Sequence, residues 1–175
     1  MSQLRTNSIV PVGGIPAGAS GGGIIQIVST TKTDSFTTSG TAFVDLTGMS
    51  VTITPRSTSS KIFIFSSIQG TGQVSAAFCA AKLVRNSTDI AIGDAFSSAG
   101  RVTSSTGYTG DSGAQLHMTI SHLDSPATTS ATTYKIQVSS LHDGASCFIN
   151  RSQQDNGIYT RVRCVSSITA MEISG

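Results

Sequence analysis

Glutamate is nearly absent from this chain. Glu172 is the only one, tryptophan does not occur, and charged residues make up only 11% of the 175 residues. Glutamate favours helices. Its loss, beside a serine and threonine content of roughly three residues in ten, points to strands, where branched side chains stack on a pleated surface. A formal net charge of +2 supplies no field strong enough to capture nucleic acid or an anionic membrane. No run of about 18 apolar residues is present to span a bilayer, and the start MSQLRTNSIV lacks the apolar stretch of a secretory signal. No nucleic-acid partner, membrane insertion or export label is therefore expected, and recognition has to come from shape and hydrogen bonding.

Cysteine is scarce as well. Cys79, Cys147 and Cys164 are odd in number, far apart and set in apolar or strand-like text. No CxxC pair suggests zinc or redox chemistry, and a disulfide framework is more often even in number. Three buried free thiols are expected, as suits synthesis in a reducing cytoplasm.

The chain has the length of one domain with a short appendage. Residues 1–23 carry Pro11, Pro16 and a dense set of glycines, which deny both helix and regular strand. This is read as a stem or attachment segment that only Ile9, Val10, Val12 and Ile15 can anchor. From residue 24 to 175, strand-like runs recur at the spacing of a sandwich or barrel. They are Ile24–Thr30, Thr41–Leu46, Met49–Thr54, Lys61–Gln69, Val74–Arg85, Asp89–Gly93, Gln115–Leu123, Thr132–Leu141, Ser146–Asn150 and Tyr159–Ile173. The alanine-rich Val74–Arg85 run is read as strand because Gly72 and Asn86 flank it.

Phase within the runs separates faces. Leu116, Met118 and Ile120 alternate with His117, Thr119 and Ser121; Tyr134, Ile136 and Val138 alternate with Lys135 and Gln137. Both runs are read as outer strands with one packed and one wet face. In Lys61–Ile68 both faces are apolar, Ile62 and Ile64 on one and Phe63 and Phe65 on the other. A sheet of a two-layer sandwich buries one face, so Phe63 and Phe65 need a partner, most simply another copy of the chain. Glu172 stands in phase with Ile168 and Ala170, and is expected to meet a polar seam or Arg161 or Arg163 of a neighbouring copy.

No catalytic motif survives inspection. Gly110-Asp111-Ser112-Gly113 copies the text around a trypsin-like nucleophile, but all three histidines lie downstream, against the order of that family. His117 and His122, five apart on one strand, point to opposite faces, and His142 sits in turn text. No metal site is assigned; the alternative is a metal held by one histidine per copy on a shared three-fold axis. Asp34, Asp89, Asp111, Asp143 and Asp155 stand in turn text, with no acid pair suited to glycoside hydrolysis. Gly18–Gly23 lacks the lysine of a phosphate loop, and no cofactor is expected. Two features suit recognition instead. Tyr159, Arg161 and Arg163 share a strand face with Arg151 nearby, a small cationic and aromatic surface fitted to a sugar, an acidic partner or a subunit-interface salt bridge. Ser97–Gly113 is the longest irregular stretch and carries Arg101, Tyr108 and Asp111.

Several phrases carry a resemblance: LRTNSIVPVGG and GGGIIQIV at the start, then STTKTDSFTTSGTAFVDLTGMSVTITPRSTSSKIFI, then KLVRNSTDIAIGD and finally SSITAMEI. In these the chain resembles the small fibre and appendage proteins of tailed bacteriophages, particularly those infecting cyanobacteria and other marine bacteria. The resemblance implies an all-β antiparallel sandwich of jelly-roll type, similar to tumour necrosis factor and C1q heads, assembled as a homotrimer on a virion. It also implies an N-terminal segment bound to other virion proteins and distal loops bound to a host-surface glycan or protein. With only about 23 residues before the head, ~80 Å at full extension, a short tail fibre is the expected role. A capsid decoration or head-fibre protein comes second, and a carbohydrate-active enzyme third.

Overall fold

The computed structural model describes residues 23–74, 77–108 and 110–174. Ile9, Val10, Val12 and Ile15 lie outside the described residues. The rest is an all-β sandwich of two antiparallel sheets, with strands β1 (Ile24–Lys32), β2 (Phe36–Ser39), β3 (Val44–Ile53), β4 (Lys61–Gly72), β5 (Cys79–Arg85), β6 (Thr88–Ile90), β7 (Ser104–Thr106), β8 (Leu116–Asp124), β9 (Thr132–Ser139), β10 (Ser146–Ile149) and β11 (Ser166–Ile173).

The long β4 organises the first sheet. β8 lies along one flank; on the other, β11 pairs with residues 61–67 and β10 with residues 70–72, while β1 and β2 pair outside β11 and β10. In the second sheet β9 sits between β3 and β5, and β6 and β7 follow one another along the far flank of β5. The alternation read in β8 and β9 holds: Met118, Ile120, Tyr134, Ile136 and Val138 are buried. β9 is nevertheless an interior strand of its sheet, not an outer one; alternation reports which face is wet, not how many neighbours a strand has.

Ile62, Ile64, Ile68, Met118, Ile120, Ile149, Ile168 and Ala170 of the first sheet meet Leu46, Met49, Val51, Ile53, Leu83, Tyr134, Ile136 and Val138 of the second. The two runs read on either side of Gly48 are one strand, β3. Its buried positions step from Leu46 to Met49 and only then alternate, because the register shifts between Asp45 and Ser50. Gly48, at φ +82°, takes the left-handed turn that such an extra residue needs. The Tyr159–Ile173 run is strand only from Ser166. Phe36–Ser39 and Ser104–Thr106, read as connections, are short strands.

The expected free thiols require a larger correction. Cys79 on β5 and Cys147 on β10 form a disulfide with Cα atoms 5.0 Å apart, joining the two sheets through the core. Only Cys164 is free, and it is half-buried. The bonded pair is separated by 68 residues, so no local pattern announces it. Gly70 makes room for it: a Cβ there would press on Cys79 Sγ, on Ile149 Cδ1 and on the Phe148 carbonyl.

One buried polar side chain is fully paired and ties three segments together. Asn150, at φ +58° and buried, donates from Nδ2 to the carbonyls of Lys32 (2.9 Å) and Asp34 (3.0 Å), and its Oδ1 accepts from Ser166 Oγ at 2.6 Å. It ties the end of β1 to the junction of β10 and β11. Replacing Asn150 with Ala strands these partners without water. It should cost about 2–3 kcal/mol, read as a lower urea midpoint at unchanged slope.

Candidate functional site

The two sheets differ in how their outward faces meet water. On the second sheet, Lys135 Nζ and Gln137 Nε2 each donate to Asp45 at 2.8 Å, and Lys82 pairs with Asp89 at 2.7 Å while lying over the Phe43 ring. The Lys135 bond, then the Gln137 bond, holds the Asp45 carboxyl below the usual carboxylate range. That face is charged, paired and suited to water.

The outward face of the first sheet is different. The pairing register sets Ile27 beside Met171, Met171 beside Phe63, and Phe63 beside Leu123. Residues directly opposite in antiparallel strands share a face, so these four form one apolar row across β1, β11, β4 and β8, about 15 Å from end to end at the usual strand spacing. Phe65 stands in the next row, beside Thr169 and Ser121. Ile27 is 58% exposed, Leu123 51% and Phe65 40%. Farther along the face the rows turn to Thr31, Ser167, Ser67 and Thr119. Phe63 and Phe65 therefore occupy the outward face, as their phase requires. Ile27 and Leu123 were missed because they join Phe63 only through pairing between strands distant in sequence.

Glu172 does not share that face. It is wholly buried within its own subunit, where Oε1 accepts from the Arg56 backbone N–H at 2.6 Å. The Gln26 amide, oriented to satisfy both its ends, donates to Oε2 at 3.2 Å. A neighbouring copy's arginine has no access to this carboxylate. The polar seam expected for it lies inside the sandwich, between β11, β1 and the loop after β3.

Arg161 and Arg163 brace an excursion of the chain, residues 151–165, which leaves the sheet between β10 and β11 and reaches the residues leading into β8. Arg161 donates to Gln154 Oε1 at 3.0 Å and lies 3.7 Å from Asp111 Oδ1. Its guanidinium occupies the space a side chain at Gly113 would need. Arg163 grips both Asp155 oxygens, and Arg151, stacked on Phe148, approaches the same carboxylate at 3.5 Å. Gln115 Nε2 donates to the Val162 carbonyl, and Gln154 N–H to the Ser112 carbonyl. This segment turns at residues 159–160 and is not the extended strand expected there, so Tyr159 and the arginines do not share a strand face. Tyr159 stands at the outermost part, 95% exposed, beside the exposed Ile158.

The structure separates the receptor-contact candidates into three places. Asp111 belongs with Arg161 and the Tyr159 excursion. Arg101 belongs to the loop between β6 and β7, where its Nε donates to the Gly93 carbonyl at 2.8 Å, and that loop displays Phe96, an exposed aromatic the sequence reading passed over. Tyr108 is half-buried ahead of β8. His117 and His122 take opposite faces of β8, and His117 Nε2 is 2.8 Å from Ser67 Oγ. Among the described residues no three histidine, cysteine or acidic side chains converge on a point where a metal ion could sit. No family model matches this sequence, and no curated protein matches it.

Proposed function

We propose that this chain is the subunit of a homotrimeric virion appendage, a short tail fibre, in which the outward face of the first sheet joins the copies and the 91–103 and 151–165 excursions meet a host-surface glycan or protein. One observation carries the assembly: Ile27, Met171, Phe63 and Leu123 form an unbroken apolar row on one sheet, while the other sheet dresses the same kind of face with ion pairs. The row carries no charge. A charged partner would lose hydration there without compensation, whereas a second copy brings a surface that loses nothing by leaving water. The phage-like phrases of the sequence support the virion setting, and the braced display of Tyr159 supports a contact role for that loop. In this reading residues 1–23 attach the head to the particle.

Leu123 is half in water in the isolated subunit, so Leu123→Asp leaves the sandwich intact and places a charge in the interface. The variant should run as a monomer with an unchanged circular dichroism spectrum; Phe65→Asp should do the same. Purified trimer should compete with phage for adsorption to host cells, and a few tens of copies per particle are expected for a tail fibre. Hundreds of copies would favour a shell-coating decoration instead. Absence of cell binding at micromolar protein would overturn the receptor role.

A further inference from the structure

The tip of the 151–165 excursion holds a pair of residues built for a spontaneous covalent change. Asn156 is exposed and is followed by Gly157, which is also exposed and adopts φ +75°. Among the described residues, neither the Asn156 amide nor the Gly157 backbone N–H makes a hydrogen bond. The other described asparagines are protected. Asn86 Oδ1 accepts from the Thr133 N–H and is followed by Ser87, and Asn150 is buried with its amide fully bonded. A backbone nitrogen reaches the preceding side-chain carbonyl most easily where the residue bearing it has no Cβ to obstruct the approach and where that N–H is not already engaged.

We propose that Asn156-Gly157 is a self-modification site whose only reactant besides the chain is water. The Gly157 nitrogen attacks Asn156 Cγ, a C–N bond forms, the Cγ–Nδ2 bond breaks, and ammonia leaves with the proton lost by the Gly157 amide. The five-membered imide that results is opened by water at either carbonyl, which leaves aspartate or its β-linked isomer. No oxidant or reductant is involved. The product carries a new carboxylate next to Asp155, the acid that Arg163 and Arg151 hold. The β-linked form also inserts a methylene into the backbone two residues before Ile158. Both products alter the display of Tyr159, so the excursion changes charge and shape with age. This inference does not depend on what the excursion binds.

The test uses the whole folded protein, held at mildly alkaline pH and sampled over days, beside the same protein unfolded in urea. Trypsin cleavage after Arg151 and Arg161 releases Ser152–Arg161. In the folded protein this fragment should gain the mass difference between NH and O, at a rate within an order of magnitude of the unfolded chain. Fragments holding Asn86 and Asn150 should stay unchanged while folded. Asn156→Gln should leave the mass of the Ser152–Arg161 fragment unchanged over time in the folded protein. A fragment that keeps its mass in the fold while converting in urea overturns the proposal, as does a mass gain in Ser152–Arg161 that persists in Asn156→Gln.

Discussion

Replacing Cys79 and Cys147 together with alanine should lower the stability of the domain by about 4 kcal/mol, the chain-entropy value for a cross-link closing a loop of this length. At roughly 2–4 °C per kcal/mol for a chain of this size, the melting temperature should fall by roughly 10 °C. The wild type should show the same fall when it is unfolded in reductant. The size follows from topology. The bond links β5 of one sheet to β10 of the other across 68 residues, so it removes many conformations from the unfolded chain while asking little of the folded one. The sheets also pack through Ile62, Ile64, Leu83 and Ile136 without it, so the variant should still fold. A melting temperature that ignores both the substitutions and the reductant would show that the thiols are not bonded. Such a bond persists in an oxidising setting and is opposed in a reducing cytoplasm.

Asp124→Ala should cost about 3–4 kcal/mol, since it leaves the fully buried Tyr134 hydroxyl and the half-buried Arg85 guanidinium without their acceptor. Asp124 ends β8 on the first sheet. Arg85 Nη1 of the second sheet lies 2.9 Å from both its oxygens, and the Tyr134 hydroxyl donates to Oδ2 at 2.6 Å. Removing the carboxylate leaves a guanidinium and a buried phenol side by side on the second sheet with no acceptor opposite them. Tyr134→Phe removes one hydrogen bond to a charged acceptor and should cost less, about 1.5–3 kcal/mol. Burial first, then the bond to Asp124, raises the Tyr134 pKa far above the ordinary phenol value of about 10. The folded state thus resists ionisation that the unfolded state accepts. The contribution is whole below about pH 10 and falls as pH rises beyond it. Wild type should therefore lose stability in that alkaline range more steeply than Tyr134→Phe. Equal slopes would remove Tyr134 from the account.

Much of the fold was legible because alternation is a local signal. Met118 and Ile120 against His117 and Thr119 show which side of β8 is buried whatever lies beside it. The same signal put Phe63 and Phe65 on the outward face. Pairing is another matter: β9 looks like β8 in sequence, yet it lies between two strands. The bulge at Gly48 split one strand into two apparent ones. The disulfide and the apolar row share a cause of invisibility, since Cys79 meets Cys147, and Ile27 meets Met171, only after distant strands have paired. Glu172 misled for a different reason. It shares the phase of the buried Ile168 and Ala170, but it was expected to meet an arginine of a neighbouring copy; its partner is a backbone N–H, that of Arg56, and any residue type can supply one. The second half of the 151–165 excursion, from Tyr159 onward, was read as strand because Tyr, Val and Thr favour strands. There the ion pairs of Asp155 and Asp111 and the turn at residues 159–160 outweigh propensity.

Sedimentation equilibrium on the full chain tests the central proposal most directly, run for wild type and for Leu123→Asp over a range of concentrations. The account predicts a wild-type mass three times the 17.9 kDa of the chain, and a single-chain mass for the variant. A wild type that remains at 17.9 kDa at every concentration, or a trimer that Leu123→Asp leaves intact, would contradict it.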